Sequence, residues 1–581
     1  VSAGAHLRAL LPTRRDYADL RRTWRQDLLA GVTVGIVALP LALAFGVSSG
    51  AGAEAGLVTA VVAGIVAAVF GGSPVQVSGP TGAMVVVLAP IVAERGVGAL
   101  GAVCLISGVL VVLAGVLRLG RAVGAIPWPV IEGFTLGIAV IICLQQVPAA
   151  VGVGTGGHDA NAAVAAVQSV AESDPAHALL ALALVAAVAA IMLLAPRVHP
   201  AVPGSIVAIV LVTLASVLLD LPVATIGALP AGLPLPGLPD LDPSLLSSLL
   251  VPSATVAALA AIESLLSARV AAGQVGVLES EAARAAGATP GAVAATRTGA
   301  TRYDADRELV GQGLASIAAG MFGGMPATGA IARTAVNVRS GGRTRASAVV
   351  HALLLLLVVG VAGPVVSRIP LSALAGVLVV TAVRMVQVRT VRAVLGSSRS
   401  AALVFVVTAV VTVAVDLVYA VGIGIAVAAV TALRTLARSA GVHREEIAGP
   451  ARPGDERIAV IRVDGALFFA VAERVLERVG AIEGVSVVVL RLSQVQLLDS
   501  TGAQVLAELV AGLERRGVTV LVKGIQDRHL TLARRVGVID ALRDERHLFD
   551  DLDAAVGHAR SHVVRERAET ALAEVPERGR A

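Results

Sequence analysis

The chain runs to 581 residues, 56% of them hydrophobic and only 15% charged, with a formal net charge of +5. A mean hydropathy of +0.84 and uncharged runs at residues 61–70, 179–195 and 352–366 exclude an ordinary soluble enzyme, since such runs approach the roughly 20 residues of a membrane span. The arginines lie in short loops between apolar runs, so membrane topology rather than nucleic acid accounts for the basic balance.

Residues 1–26 form a polar, arginine-rich lead without a signal-peptide pattern and are expected in the cytoplasm. Residues 27–438 read as a membrane domain. Its first seven spans begin near Asp27, Glu54, Gly79, Gly98, Ile126, Ala176 and Val202. Seven more begin near Pro252, Asp306, Thr328, Ala346, Pro370, Ala401 and Val418. With the lead inside, the inner loops hold Arg118, Arg121, Arg197, Arg269, Arg284, Arg297, Arg302 and others, whereas the outer loops hold only Arg95 and Arg368. The long outer stretches 147–175 and 220–251 contain neither Lys nor Arg. This asymmetry predicts fourteen spans in the inner (plasma) membrane, with both termini cytoplasmic. Cys104 and Cys143 fall in apolar runs and read as small core residues.

Two stretches break the apolar pattern. "FGGSPVQVSGPTGAM" starts at Phe70, and "FGGMPATGAIARTAVNV" starts at Phe322. Each ends the second span of its half and precedes a shortened span, so the halves correspond. An odd number of spans per half turns the second half upside down. The expected fold is therefore a polytopic α-helical membrane protein with a 7+7 inverted repeat, whose interrupted segments mark the binding site. Extended backbone at that depth is tolerated only where protein or water covers it. Helices starting near residues 79–81 and 328–331 would turn unpaired N–H groups and positive dipole ends toward an anion. Ser78, Thr81 and Thr328 add hydroxyl donors.

Charged residues among apolar ones carry the next expectations. Glu263, in "VAALAAIESLLSARV", has to be paired, hydrated or protonated at such depth, which makes it a candidate proton or ion-coupling site. Ser267 lies one turn on, on the same face. Arg333, one turn into the second short helix, either raises the positive potential at the anion site, caps or braces that helix, or lies further toward the cytoplasm with Arg339. Glu54, Asp306, Glu308 and Asp416 lie near span ends and read as interfacial. His199 and His351 have no partner at metal-ligand spacing. No metal site is expected, and no cofactor. The absence of Ser-His-Asp, zinc and Walker patterns argues against an enzyme or an ATP-driven pump.

The runs "DLLAGVTVGIVALPLALAFG", "FGGSPVQVSGPTGAM", "ELVGQGLASIAAGMFGG" and "ATGAIARTAVNVRSGG" resemble the SulP family of sulfate permease and prestin-like anion transporters. The resemblance implies fourteen spans, a homodimer, and a core of spans 1–4 and 8–11 that moves against a gate of spans 5–7 and 12–14. It places the anion among Phe45, Thr81, Gly329, Ala330 and Arg333, with Leu41 where many relatives carry Gln. "LPLALAFG" and "QVSGPTG" look like the sodium-dependent bicarbonate branch. That branch has Asp and a hydroxyl where Glu263 and Ser267 stand, and Thr where Ile331 stands. "IESLL", "ELVGQGL" and "AIAR" look instead like proton-coupled bacterial members, some of which move dicarboxylates.

Residues 439–455 read as a linker, 456–556 as an α/β domain and 557–581 as a charged tail. "RIAVIRV", "SVVVLRL" and "VTVLVKG" read as strands, and segments from about Val471, Ser500, Asp527 and Asp550 as amphipathic helices. "QVQLLDSTGAQVL" resembles the STAS domain, whose soluble relatives are phosphorylated on a hydroxyl at the strand-to-helix turn. Asp499, Ser500 and Thr501 occupy that turn here. Ser500 and Thr501 are the phosphoacceptor candidates, although the trio also suits a plain N-cap. A cytoplasmic regulator could act through this domain.

The expected function is secondary active transport of a sulfate- or bicarbonate-class anion, proton-coupled rather than sodium-coupled, by an elevator-like movement. A dicarboxylate symporter, an anion channel of the same fold and a nucleobase permease are the alternatives. The STAS-like domain and Arg333 speak against the permease. The expected partners are the anion, the proton, the lipid bilayer and a second copy of the chain, with no nucleic acid.

Overall fold

The structure, a computed structural model, describes residues 8–123, 126–153, 162–198, 203–227, 232–239, 243–285, 303–415, 417–439, 441–469 and 472–573. His199, Val202, Arg297, Arg302, Asp416 and Val471 lie outside them. The chain divides into two compact units, Val1–Ala426 and Val427–Ala581.

The first unit opens with α1 (Leu20–Ser48) and α2 (Gly52–Phe70), then a two-residue strand β1 (Ser78–Gly79) and α3 (Gly82–Arg95). α4 (Ala99–Val116), α5 (Trp128–Gln145), α6 (Pro175–Val198), α7 (Gly204–Leu218) and α8 (Pro243–Ala285) follow. The pattern then recurs: α9 (Ala305–Met321), strand β2 (Thr328–Gly329) and α10 (Ile331–Arg339). α11 (Arg345–Val366), α12 (Leu371–Met385) and α13 (Arg399–Ala414) follow, and α14 (Leu417–Ser439) begins in the first unit and ends in the second. Among the described residues, nine helices are long and apolar enough to cross a membrane.

Local chemistry sets several boundaries. Pro127 and Pro370 precede α5 and α12 in extended conformation, which suits proline ahead of a helix. Asp304, Thr344 and Ser398 cap α9, α11 and α13 with side-chain oxygens. The core is aliphatic: Leu43, Met84, Leu88, Leu249, Leu309, Leu355 and Leu378 are wholly buried. Cys104 is buried and Cys143 half-buried, both as free thiols.

The second unit holds a five-stranded sheet ordered β3 (Gly441–Glu445), β4 (Ile458–Leu467), β5 (Val487–Leu498), β6 (Thr519–Lys523) and β7 (Leu548–Phe549). β3 runs antiparallel to β4, and the other neighbours are parallel. Helices α15 (Ala472–Gly480), α16 (Ser500–Arg515) and α17 (Asp527–Val536) alternate with the strands, and α18 (Leu552–Ala573) ends the unit. Side chains alternate across the sheet as the strand period requires. Ala459, Ile461 and Val463 pack with α15–α17, while Ile458 and Val460 pack under Ala555, Ala559 and Val563 of α18.

The sheet thus starts at Gly441, inside the stretch expected as linker, and α18 runs into the stretch expected as tail. Both segments are disguised by charge. Glu445 joins the sheet through Arg462 and Arg491. α18 packs Ala555, Val556, Ala559 and Val563 on the sheet from among its arginines and histidines.

Candidate functional site

The two breaks meet. β1 and β2 pair antiparallel, Ser78 opposite Gly329 and Gly79 opposite Thr328. α3 and α10 start directly after their strands, so two helix N-termini open at one place. Neither is capped by a side chain at its first residue. The hydroxyl of Thr81, the N-cap of α3, donates instead to the Glu263 carboxylate at 2.9 Å. The N-cap of α10 is Ala330, which has no polar side chain.

The extended backbone between α2 and α3 must find partners, because buried N–H and C=O groups are costly when left alone. The second half of the unit supplies them. The Glu308 carboxylate accepts from Gly72 N and Ser73 N, both at 2.8 Å. Asn337 donates to Val75 O, Thr334 Oγ1 accepts from Val77 N, and Ala330 N donates to Val77 O. The service is returned to the second break. Thr59, on α2, binds both Met325 N and Met325 O, while α8 of the same half as the second break supplies Ser264 Oγ, which accepts from Gly329 N at 3.0 Å. Asp27 holds Arg343 N and Thr344 N, at 2.7 and 2.9 Å, just ahead of α11.

Arg333 reaches from α10 to the first break. It is 2% exposed, and Nη2 donates to the Pro80 carbonyl. Among the described residues its Nη1 has no hydrogen-bond partner. Gly79 makes room for it: a Cβ there would lie 2.8 Å from Nη1, and Gly79 sits at φ +152°, which L side chains rarely adopt. Arg333 thus ties α10 to the first break and keeps one donor atom without a partner among the described residues. Phe45, buried on α1, packs beside the start of α3, where its ring edge would stand 3.4 Å from a Cβ on Gly82. Leu41 is buried one turn earlier.

The remaining expected residues divide. Glu263 is half-buried on α8 and touches the first helix end through Thr81. Ser267 is buried and bonds to Thr334, at 3.2 Å, rather than to Glu263. Ser78 accepts from the Gln312 amide at 2.6 Å, so it belongs to the scaffold of the crossing. Gly329 and Ala330 form the second turn, and a Cβ on Gly329 would strike the Gln76 side chain. In the second unit Ser500 and Thr501 are exposed, and Asp499 caps α16 by accepting from Gly502 N at 2.7 Å.

Sequence reasoning passed over several residues here. Glu308, placed near a span end and read as interfacial, is 1% exposed and organises the first break. His351, set aside for want of a partner, is fully buried on α11, and among the described residues neither ring nitrogen is hydrogen-bonded. Gln76 is 5% exposed with both amide atoms unpartnered; its place in the broken motif was the available signal. Ser264 was hidden beside Glu263.

Two short helices opening from a shared strand pair, inside a unit rich in membrane-length helices, define a polytopic membrane transporter rather than a soluble binding module. The sulfate permease family profile matches residues 24–408 and the STAS domain profile residues 450–555. The chain belongs to the sulfate permease (SulP) family, and it is a multi-pass anion transporter of that family carrying a STAS domain. It is 32% identical to YvdB of Bacillus subtilis, over 92% of this chain and 97% of that protein. It is also 32% identical to the bicarbonate transporter BicA of Synechocystis, over 93% and 94% of the two chains. It shares its fold with the murine Solute Carrier 26 family member A9 anion transporter in the inward-facing state. There the TM-score is 0.78 at 16% identity, covering 96% of this chain and 95% of that one.

Proposed function

We propose that the chain is a proton-coupled secondary active transporter of a small inorganic anion, of the sulfate or bicarbonate class. The observation that carries this reading is the site where the N-termini of α3 and α10 meet. Uncapped backbone N–H groups, the free Nη1 donor of buried Arg333 and the Thr81 hydroxyl gather there. Oriented donors of this kind suit a tetrahedral or planar oxyanion. Phe45 closes the apolar side beside the start of α3, and Gly329 makes room for the buried Gln76 amide beside the second helix start.

Glu263 supplies the coupling. Its carboxylate shares Thr81 with the anion site, so a charged Glu263 repels an arriving anion and a protonated one does not. Proton and anion binding then favour each other, which is the linkage that symport requires. Ile331, at the start of α10, offers no oxygen ligand, which supports a proton over sodium.

The antiparallel pairing of β1 with β2, and the matched roles of Thr59 on α2 and Glu308 on α9, support an inverted repeat. Asp27, Thr59, Thr81 and Glu308 tie α1–α3 to α8–α11, which supports a core that moves as one body in an elevator cycle. The protein works as a homodimer of the inner membrane with both termini in the cytoplasm, and the STAS domain tunes transport through Ser500, Thr501 or a bound regulator.

Uptake of labelled sulfate, bicarbonate and dicarboxylates into proteoliposomes, under imposed proton or sodium gradients, tests the reading. Uphill uptake of an inorganic anion driven by an inward proton gradient is expected. Purely downhill flux would identify a channel, and drive by sodium alone would overturn the proton assignment.

A further inference from the structure

Three histidines of the second unit come together far along the chain from the residues assigned above. His547 precedes β7, and His558 and His562 lie on α18. Their ligand-capable atoms all lie within 4.8 Å of one another. His558 and His562 are four residues apart on one helix face, and their Nε2 atoms are 3.2 Å apart. Ring centroids separate by 5.3–5.4 Å from His547 and by 4.9 Å between the helix pair. His547 is 4% exposed, and its Nδ1 is buried with no hydrogen-bond partner among the described residues.

From this geometry we infer that His547, His558 and His562 form a binding site for a divalent transition-metal ion of the zinc class. Two imidazole nitrogens bound tetrahedrally at the usual Zn–N length of about 2.0–2.1 Å sit about 3.3 Å apart, close to the spacing already present on α18. His547 needs only a small approach to complete three ligands. Three nitrogen donors favour zinc, copper, nickel or cobalt over magnesium and calcium, which take oxygen. The fourth position stays open to water or a small anion. The Phe549 ring, 5.4 Å from His558, covers one side and limits access.

The site would also have a mechanical consequence. His547 stands at the edge strand, whereas His558 and His562 belong to the helix that covers one face of the sheet. An ion shared between them clips α18 to that edge. Metal binding to the folded unit alone stabilises it by mass action.

The test uses the full chain, purified in detergent without a histidine tag, stripped with chelator and titrated with Co2+ as a spectroscopic probe. One equivalent is expected to bind with visible ligand-field bands, to be displaced by Zn2+ and to be indifferent to Mg2+. His558→Gln and His562→Gln are each expected to weaken Co2+ binding by more than about 100-fold, above the usual cost of losing an outer-shell partner. His529→Gln, in the same unit, is expected to bind normally. His558→Cys restores a ligand and is expected to retain the ion with added thiolate absorption, which separates ligand loss from misfolding. Failure of the parent to bind Co2+ stoichiometrically, or unchanged bands in both Gln variants, overturns the assignment.

Discussion

Glu308→Ala is the sharpest probe of how the first break is built. The substitution leaves Gly72 N–H and Ser73 N–H buried without the acceptor that each now has at 2.8 Å, and it removes one partner of Gln312. An unsatisfied buried donor costs about 1–3 kcal/mol, so two of them give a loss of roughly 2–6 kcal/mol. The lost charge assistance and the space vacated place the expectation near the middle of that range, about 4 kcal/mol. Glu308→Gln keeps an acceptor oxygen for the two backbone N–H groups but gives up the charge and the oxygen that accepts from Gln312, so its cost should be about 1–3 kcal/mol. Because Gln312 also donates to Ser78, the damage should reach β1 and lower anion affinity as well. Unfolding of the detergent-purified protein by titration with dodecyl sulfate ranks the three proteins, and anion counterflow measures the second effect. A Glu308→Ala protein within about 0.5 kcal/mol of the parent, with unchanged affinity, refutes the reasoning.

Bulk at the second turn should separate binding from folding. Gly329→Val displaces the Gln76 amide and crowds Ser264, and is expected to abolish anion binding in a protein that still elutes as a single species; normal affinity would move the site elsewhere. Removing residues from 440 onward should leave a membrane unit with residual transport, because no residue proposed for anion binding or proton coupling lies beyond Arg333; a folded, truncated protein that binds no anion would sink this modular view. The second unit should lose stability in acid through Glu445. Burial alone would raise its carboxyl, but the Arg491 and Arg462 guanidinium groups outweigh that and hold it below its ordinary value. A depressed carboxylate contributes stability above its unfolded value of about 4.3, and that contribution fades as pH falls through the folded value. Glu445→Gln should flatten the acid limb of the unit's unfolding curve below about pH 4, and an unchanged limb would remove Glu445 from the network.

How much of this was legible in the sequence depends on the range of each interaction. The doubled Phe-Gly-Gly-x-Pro, the shortened helices after it and the βα alternation near the C-terminus are local patterns, and the fold follows them. The contact of Thr81 with Glu263 spans 182 residues, and no local pattern predicts it, although each residue was singled out alone. Glu308 was misjudged because proximity to a span end says nothing of the N–H groups brought over it from 236 residues away. Gln76 and Ser264 sat inside recognised motifs, yet only the pairing of β1 with β2 gives them roles. The histidine cluster shows the same limit. His558 and His562 carry helical spacing in plain view, but the third ligand arrives from the turn before β7.

The most direct test of the central claim is gradient-driven transport in Glu263→Gln. The amide mimics the protonated carboxyl in size and neutrality, so the variant is expected to bind the anion and to exchange anion for anion at the parent's rate. Uptake driven by an imposed pH gradient should disappear in it, because no proton can be loaded beside Thr81. If Glu263→Gln accumulates anion with the parent's response to the pH gradient, the proton is carried elsewhere and the coupling account is wrong.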